Sequence, residues 1–371
     1  MDTRIKAILI DLIHPRMLPK HGADRLDELE HLVNTYGGIV VVKKYQKRFA
    51  PHPRTFIGPG KIAELGKEGE ALGAQLLIVN NVLKPQQSYQ IGEMLKPHRV
   101  GVWDRIDLIL KIFAKHARTT EAKLEIELAS IRHMGPRIFG MGMELSRQGG
   151  GIGTMGIGET NIERMKRHLR EKEHQIREKL ERYQQVREGH RKWRTRQHFQ
   201  TVAIVGYTNA GKTTLLNAIT GRKEYAADEL FATLDTRVGQ LYLPGRGHTV
   251  LVSDTIGFIK HLPHELINAF SSTLSEAVEA DFLLHVVDAS DPHAPQHVSV
   301  VNDILIRLGI AERPRLIVLN KSDGVEPAAR RQIAYRIGNG HPKVWISAEQ
   351  GDGLSELVAA VEQHLPQPVL A

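Results

Sequence analysis

A lysine and a threonine close a glycine-bounded segment in the middle of the chain, a combination that can hold phosphate groups. With the residue that follows it, the segment reads Gly206, Tyr207, Thr208, Asn209, Ala210, Gly211, Lys212, Thr213 and Thr214. A β-branched run over residues 201–205 precedes it, and an apolar helical pattern follows. In that context the backbone N–H groups point at phosphate oxygens. The spacing predicts a triphosphate site in which Lys212 reaches the β- and γ-phosphates and the Thr213 hydroxyl binds Mg²⁺.

A second candidate element follows the predicted strand at residues 250–253. It reads Asp254, Thr255, Ile256 and Gly257. We expect Asp254 to hold the metal through a water molecule and the Gly257 N–H to meet the γ-phosphate. An Asp-x-x-Gly segment is common in proteins and alone says little. It supports a nucleotide site here because it follows the phosphate loop along the chain.

The third and fourth elements concern the base. Asn320, Lys321, Ser322 and Asp323 follow the predicted strand at residues 316–319. The Asp323 carboxylate can accept two hydrogen bonds from N1–H and N2–H₂ of guanine, whereas adenine presents an acceptor at N1. Ser347 and Ala348 follow the last strand and can present a backbone N–H to the guanine O6. Four elements in this order predict a GTP site.

The segment before the third strand holds the candidate for a nucleotide-dependent switch. It contains Phe231, Ala232 and Thr233, and Thr233 is expected to complete the Mg²⁺ shell only when a γ-phosphate is present. Thr236 is the alternative candidate for this switch threonine. The predicted metal ligands are therefore Thr213 and Thr233, with Asp254 through water. The predicted catalytic residues are Lys212, Thr233 and Gly257.

Hydrolysis lacks an obvious side chain to orient water. Many GTPases place a glutamine directly after the Asp-x-x-Gly segment, but this chain has Phe258 there. We therefore expect slow intrinsic turnover that a partner or an ion accelerates. As a hypothesis, Asn209 coordinates a monovalent cation, K⁺, near the β–γ bridge.

The first hundred residues alternate between strand and helix patterns. Predicted strands lie at residues 5–13, 39–42, 76–79 and 100–103, and predicted helices at residues 25–36, 62–72 and 86–95. This alternation predicts a small parallel α/β subdomain.

Two helical patterns follow, at residues 107–134 and 162–198, and predict an antiparallel helical hairpin. Residues 162–198 contain 13 Lys and Arg against 6 Glu, a net charge of +7. Such a run is either a solvated helix face or a surface for phosphate backbones. The connector contains six glycines between Gly149 and Gly158. It is either a flexible link or a tip that can approach RNA or nucleotide closely.

From residue 201 the alternation returns, with strands predicted at residues 201–205, 240–243, 250–253, 282–287, 316–319 and 343–346. The fold class predicted for the whole chain is α/β, with a Ras-like P-loop GTPase domain at residues 199–371. The α/β subdomain would occupy residues 1–115, and the hairpin with its connector residues 116–198.

Composition sets limits on the protein class. The 371 residues include no cysteine, which excludes disulfides, thiol catalysis and thiolate metal sites. The formal net charge of +8 suits an anionic partner such as nucleic acid. No run approaches the length of a membrane span, and the N-terminus is typical of a first strand rather than a signal peptide. We expect a cytoplasmic protein.

Several longer segments together resemble the HflX family of ribosome-associated GTPases. They begin at Phe56, Asp104, Gly149, Leu230 and Asp254 and are spread over nearly the whole chain. The resemblance implies binding to the large ribosomal subunit and its RNA, with the connector near the peptidyl-transferase region. It also implies GTP-dependent separation of stalled or hibernating ribosomes, hydrolysis stimulated by ribosomes, partial ribosome association in the cell, and ATP binding at the N-terminal domain in some members.

Two other functions stay open at this point. One is an ATP-fuelled RNA remodeller that works through the N-terminal domain, although no motif there can be assigned to ATP. The other is a non-catalytic RNA-binding scaffold whose conformation GTP sets, an interpretation suggested by Phe258.

Overall fold

The computed structural model describes residues 4–17, 19–148, 155–196, 199–221, 237–260, 271–338 and 340–367. The chain divides into two compact units. Unit 1 comprises Met1–Lys115 and Lys123–Leu180, and unit 2 comprises His116–Ala122 and Glu181–Ala371. The three-part division expected from the sequence remains a prediction. Within the described residues, no helix is both long and apolar enough to cross a membrane.

Unit 1 is built on a four-stranded parallel sheet in the order β2-β1-β3-β4. The strands are β1 (Lys6–Ile13), β2 (Ile39–Lys47), β3 (Leu76–Val79) and β4 (Gly101–Asp104). The helices are α1 (Pro19–Tyr36), α2 (Pro59–Leu72), α3 (Pro85–Leu95) and α4 (Arg105–His116), with a 3₁₀ turn at Lys96–His98. The predicted parallel α/β subdomain is thus confirmed.

Apolar strands explain why this small sheet is covered by helices. Ile8 and Ile10 of β1 pack with Leu65 of α2 and Ile91 of α3 in one buried cluster. The central strand β1 is buried along almost its whole length. Parallel strands of this kind must be shielded from water on both faces, which accounts for the helix after each strand.

Two long helices follow, α5 (Thr120–Gln148) and α6 (Met155–Arg196). An ion pair between Glu121 and Arg187 and another between Arg132 and Glu173, at 3.1 Å, join them in antiparallel order. The helical hairpin is therefore confirmed, but the predicted bounds of its two helices are wrong. The pattern expected to run from residue 107 is two helices, because the Thr119 hydroxyl accepts a hydrogen bond from the Ala122 N–H and begins a new helix.

The second boundary error concerns the glycine-rich connector. Helix α6 begins at Met155, so Gly156 and Gly158 lie in its first turn rather than in a loop. The sequence placed the start at residue 162 because glycine is a poor helix former. The remaining connector residues, 149–154, lie outside the described part of the chain.

Unit 2 contains a six-stranded sheet in the order β10-β9-β8-β5-β7-β6. Its strands are β5 (Thr201–Gly206), β6 (Arg237–Leu243), β7 (His248–Asp254), β8 (Phe282–Asp288), β9 (Arg315–Asn320) and β10 (Lys343–Trp345). All neighbours are parallel except β6 and β7, which form an antiparallel hairpin. Edge strand β6 alternates between buried and exposed residues, as a strand with one solvated face should.

Helices cover both faces of this sheet. They are α7 (Lys212–Thr220), α8 (Ser271–Glu279), α9 (Ala294–Arg307), α10 (Pro327–Arg336) and α11 (Leu354–His364), with a 3₁₀ turn at Ser322–Gly324. One buried cluster includes Leu215 of α7 and Leu357 of α11. A second includes Val298 of α9, against which Ile333 of α10 packs. The predicted Ras-like, doubly wound domain is confirmed.

Candidate functional site

The predicted GTP elements meet at one edge of the unit 2 sheet. Strands β5, β7 and β9 all end there, at Gly206, Asp254 and Asn320. Strand β5 is central, with β8 on one side and β7 on the other. The chain therefore adds later strands first on one side of β5 and then on the other. In open α/β sheets, ligands bind at the carboxyl ends of the strands at such a switch point.

The phosphate loop runs from the end of β5 to the start of α7. Gly211 precedes the first residue of α7 with φ of +89°, and a Cβ there would lie 2.2 Å from Asn320 Nδ2. Only glycine fits this backbone and this close approach. The first turn of α7 has no side-chain cap and no acidic residue, so neither competes with an anion at this helix N-terminus.

Lys212 occupies the centre of this loop. Its side chain is buried, and its Nζ donates a hydrogen bond to the Tyr207 carbonyl at 2.8 Å. Burial lowers the pKa of Lys212 to about 8, although the charge of Asp254 acts in the opposite direction. A Cβ on Gly257 would lie 3.0 Å from the Lys212 Nζ, so the Asp-x-x-Gly segment passes directly beside this ammonium group.

Thr213 and Asp254 form the expected metal-binding pair. The Thr213 hydroxyl donates to Asp254 Oδ2 at 2.7 Å, and Asp254 is fully buried at the end of β7. A hydroxyl and a carboxylate are hard oxygen donors of the kind that Mg²⁺ prefers, so these residues fit the ion that P-loop GTPases use. Phe231, Ala232 and Thr233, the proposed switch residues, lie outside the described part of the chain.

Asn320 joins the base-recognition loop to the phosphate loop. Its Nδ2 donates to the Ala210 carbonyl at 2.8 Å, and its Oδ1 accepts from the Ala348 N–H at 3.0 Å. The amide is buried, so both hydrogen bonds are shielded from water. One side chain therefore braces three loops.

The other candidates for base recognition are Asp323, Lys321, Ser347 and Ala348. Asp323 is exposed in the 3₁₀ turn, where a base can reach it. Lys321 adopts φ of +59° and pairs with Asp288 at 2.7 Å. The N–H groups of Ser347 and Ala348 already donate to Asp352 O and Asn320 Oδ1. A hydrogen bond from either to the guanine O6 stays a prediction that requires an exchange of partner.

Phe258 has a structural role. Its ring is fully buried, its N–H donates to Gly206 O at 3.1 Å, and its carbonyl accepts from Thr208 N–H at 2.8 Å. Thr255 likewise donates to Ile204 O at 2.8 Å, and Ile256 is buried. These contacts fix the segment after β7 against the phosphate loop. They also keep the ring of Phe258 away from any attacking water.

Sequence reasoning missed the contacts of Tyr207. Its ring stacks on His297 of α9, with centroids 3.8 Å apart and planes 7° apart. Its hydroxyl accepts a hydrogen bond from the Lys260 N–H at 2.9 Å, and His297 pairs with Asp291 at 3.3 Å. In the sequence, only the close spacing of Asp291, His293 and His297 hints at a cluster of polar side chains here.

His285 on β8 was also missed. It lines a cavity of about 70 Å³ beneath the phosphate loop, together with Thr208 and Asn209. Burial lowers the pKa of His285 to about 3, with the charge of Arg315 acting in the same direction. The imidazole is therefore neutral, and Lys212 is the cation at the centre of the loop.

A buried ionic cluster in unit 1 also escaped the sequence analysis. Arg137 of α5 pairs with Asp104 and with Asp107, the latter at 2.6 Å. His133 of α5 lies 3.2 Å from Asp104 and 3.3 Å from Asp107. Asp104, Asp107 and His133 are close enough to hold a metal ion together. However, Arg137 already supplies a cation to both carboxylates.

The sequence matches three family descriptions in succession. They are "GTP-binding GTPase N-terminal" at residues 23–114, "GTP-binding GTPase Middle Region" at residues 116–194, and "50S ribosome-binding GTPase" at residues 201–321.

Curated relatives extend over most of the chain. It is 41% identical over 354 residues to the GTPase HflX of Escherichia coli, and the aligned region covers 95% of this chain and 82% of that protein. It is 42% identical over 362 residues to the GTPase HflX of Caldanaerobacter subterraneus, with coverage of 97% and 80%. The crystal structure of SsGBP with GDP has a TM-score of 0.53 at 24% identity, covering 97% of this chain and 98% of that chain. That likeness supports the fold.

Proposed function

This chain is a GTP-hydrolysing enzyme that belongs to the HflX family of GTPases, and on that premise we propose that it acts on ribosomes. In this proposal it binds the large ribosomal subunit and separates stalled or hibernating ribosomes into subunits. The ribosome in turn stimulates GTP hydrolysis. The observation that carries the proposal is that one chain holds both a long basic helix and a candidate GTP site in which Lys212, Asp254 and Asn320 meet at one sheet edge.

The site residues act on GTP through three groups of contacts. The N–H groups of the loop before α7 and the Lys212 ammonium hold the β- and γ-phosphates. The Asp323 carboxylate selects guanine, and Asn320 keeps its loop against the phosphate loop. Thr213 and Asp254 would hold Mg²⁺, which neutralises charge on the phosphate oxygens when it is bound. Gly257 brings its N–H beside the terminal phosphate, where Lys212 lies.

Slow hydrolysis in isolation follows from Phe258. A side chain that orients the attacking water speeds many GTPases, and the buried ring of Phe258 cannot do so. The missing contribution must therefore come from Thr233, from an ion or from a partner. Stimulation by the ribosome would tie hydrolysis to the moment of binding.

Asn209 is the residue that we propose for a monovalent cation. It is exposed in the phosphate loop, and its side-chain amide oxygen is a suitable ligand for a monovalent cation. A K⁺ ion beside the β–γ bridge would offset developing charge as an arginine finger does. GTP turnover should be faster in K⁺ than in Na⁺, and Asn209→Ala should abolish the difference. Equal rates for the unmodified protein in the two salts would refute this role.

The basic face of α6 is the proposed contact for ribosomal RNA. Arg164, Arg167 and Arg170 are exposed and take part in no ion pair among the described residues. Arginine residues that neutralise phosphates release counterions, so binding should weaken steeply as salt is raised. A solvated face without a partner would show no such dependence.

Sedimentation of purified ribosomes tests the whole proposal. With the protein and GTP, or a non-hydrolysable analogue, ribosomes should shift toward free subunits. Lys212→Ala should abolish the shift, and Arg164→Gln/Arg167→Gln/Arg170→Gln should weaken it. The matched control, Arg307→Gln/Arg331→Gln/Arg336→Gln, removes three exposed arginines from unit 2 and should have little effect. Unchanged subunit ratios with the unmodified protein would reject ribosome splitting.

A further inference from the structure

Phe49, in the loop after β2, is exposed to an extent that the fold does not explain. Its side chain is 79% exposed, the highest value among the large hydrophobic residues that the structure describes. The ring has one aromatic neighbour, His14, whose ring centroid lies 5.4 Å away in an edge-to-face arrangement. One face of the phenyl ring is therefore open to solvent.

Hydrogen bonds fasten the loop that carries Phe49 at both of its ends. The Arg48 N–H donates to Ile13 O at 3.0 Å, which ties it to the end of the neighbouring strand. His52 and Phe56 exchange two backbone hydrogen bonds, at 2.7 and 2.9 Å. Gln87 of α3 donates to the His52 carbonyl at 3.2 Å. Because the loop is preorganised, a ligand that stacks on Phe49 does not have to order it first.

The family-like segment that begins at Phe56 forms part of this support. The Thr55 hydroxyl donates to Ile57 O at 2.6 Å, and the Gly58 N–H donates to Gln46 Oε1 at 2.8 Å. Both hydrogen bonds lie at the exit of the loop, where α2 begins. The GTP site makes no use of this segment, so its contacts account for it as the base of the Phe49 loop.

The sequence on either side of Phe49 carries only positive charge. Arg16 follows β1, and Lys47 and Arg54 flank Phe49; all three are exposed and make no ion pair within the described residues. No aspartate or glutamate occurs at residues 12–23 or 47–63. An exposed aromatic ring with unpaired cations is the combination that binds single-stranded nucleic acid, since bases stack and phosphates pair with arginine.

We propose that Phe49, Arg16, Lys47 and Arg54 form a stacking site for an unpaired nucleotide of RNA, hereafter the Phe49 site. One base stacks on the open face of Phe49, and the cations bind the phosphates on either side. The Phe49 site deepens the proposed ribosomal function, because it gives unit 1 an RNA contact of its own. It does not depend on GTP or on ribosome splitting.

Binding of a short single-stranded oligouridine that carries 4-thiouridine tests the site. Full-length protein with Arg164→Gln/Arg167→Gln/Arg170→Gln is the background, so that RNA bound along α6 does not mask the Phe49 site. Fluorescence anisotropy gives the affinity. Photocrosslinking followed by trypsin gives the location, because cleavage after Arg48 and Arg54 isolates residues 49–54.

Phe49→Ala should weaken binding roughly 5- to 150-fold, the range for loss of one base–aromatic stack. Phe49→Trp should retain binding and the crosslink. Tyr242→Ala, which removes a tyrosine that is 58% exposed in unit 2, should change nothing. Arg54→Gln should lower the salt slope by about 0.7, the value for one phosphate of a single strand.

Three results would overturn the proposal. The first is equal affinity of Phe49→Ala and its parent for the oligouridine. The second is RNA crosslinked elsewhere but absent from residues 49–54. The third is duplex RNA that binds with the same dependence on Phe49, since paired bases cannot stack on the ring. If ribosomes are not split and these results are nevertheless positive, the Phe49 site stands and the ribosomal function falls.

Discussion

Among single residues, Asp323 is the one proposed to select the guanine base. Asp323→Asn should weaken GTP binding roughly 10- to 150-fold, because charge-assisted hydrogen bonds of about 1.5–3 kcal/mol are lost. The same change should strengthen binding of XTP, since xanthine presents a carbonyl where guanine has N2–H₂ and the asparagine amide can donate to it. Displacement of a fluorescent GDP analogue measures both affinities.

Asp352→Asn is the matched control for that experiment. It removes the same charge from an exposed side chain at the same edge of the sheet, and its carboxylate has no assigned contact with the base. It should leave the preference for GTP over XTP unchanged. An equal loss of GTP affinity in both variants would mean that general electrostatics, rather than base recognition, explains Asp323.

Lys212 predicts a pH effect on nucleotide binding. Burial lowers its pKa to about 8, so above that pH the free protein holds mostly the neutral amine. The triphosphate favours the ammonium form, and binding should therefore take up close to one proton well above pH 8 and almost none at pH 7. Calorimetry in buffers of different ionisation enthalpy measures the uptake. The same proton count at both values of pH would contradict the lowered pKa.

At this scale the sequence predicts residue types better than contacts. The order of Lys212, Asp254 and Asn320 along the chain predicts the site, because each lies at or just after the end of a strand at the same sheet edge. The bracing by Asn320 is not predictable, since it depends on Ala210 and Ala348 being brought together by the sheet. The stack of Tyr207 on His297 joins residues 90 positions apart, and no local pattern announces it.

Among elements, the cluster of Arg137 with Asp104 and Asp107 joins α5 to β4 and α4. Arg137→Met should lower the free energy of unfolding by about 3–5 kcal/mol, because two buried carboxylates lose one of their two cationic partners and keep only His133. Urea unfolding followed by circular dichroism measures this loss. The control Arg132→Met breaks a half-exposed pair with Glu173 and should lose no more than about 1 kcal/mol. If Arg137→Met loses no more stability than Arg132→Met does, the buried cluster contributes little to the free energy of unfolding.

The same cluster predicts how stability depends on pH. Burial disfavours charged His133, but hydrogen bonds to Asp104 and Asp107 outweigh it and raise its pKa from 6.5 to about 9. The stabilisation by His133 is therefore complete below pH 6.5 and is lost as the pH rises through about 9. Burial would raise the pKa of Asp107, but the contacts with His133 and Arg137 lower it from 3.8 to about 2. Its contribution is complete above pH 3.8 and is lost as the pH falls through about 2.

Urea midpoints across the pH range test this window. Unmodified protein should lose stability in unit 1 between about pH 6.5 and 9, and His133→Gln should remove most of that slope. His98, which is partly exposed and pairs with Glu70, is the control position, and His98→Gln should leave the slope in place. An alkaline slope that survives in His133→Gln would assign it to other groups.

Element boundaries depend on contacts that periodicity does not report. The hairpin was predictable because α5 and α6 carry long helical patterns. The break between α4 and α5 was not, since it depends on one hydroxyl, that of Thr119. The early start of α6 was missed because Gly156 and Gly158 were given their usual helix-breaking weight.

At the scale of the whole molecule, the separate cores of the two units predict separate responses to ligand and to mutation. One core surrounds the parallel sheet of unit 1, and two others lie on the faces of the unit 2 sheet. GDP and Mg²⁺ at about 100 times the dissociation constant stabilise the unit that binds them by about 2.7 kcal/mol. We expect this gain in unit 2, whereas Arg137→Met should destabilise unit 1.

Hydrogen exchange read by mass spectrometry can separate the two units. GDP should slow exchange in peptides from β5 and β8 and leave β1 and β3 unchanged. Arg137→Met should speed exchange in β1 and β3 and leave β5 and β8 unchanged. The helices α5 and α6 run through both units, so intermediate protection along them would report how far each effect spreads. Equal protection of β1 and β8 by GDP, with equal loss in both from Arg137→Met, would show one cooperative molecule instead.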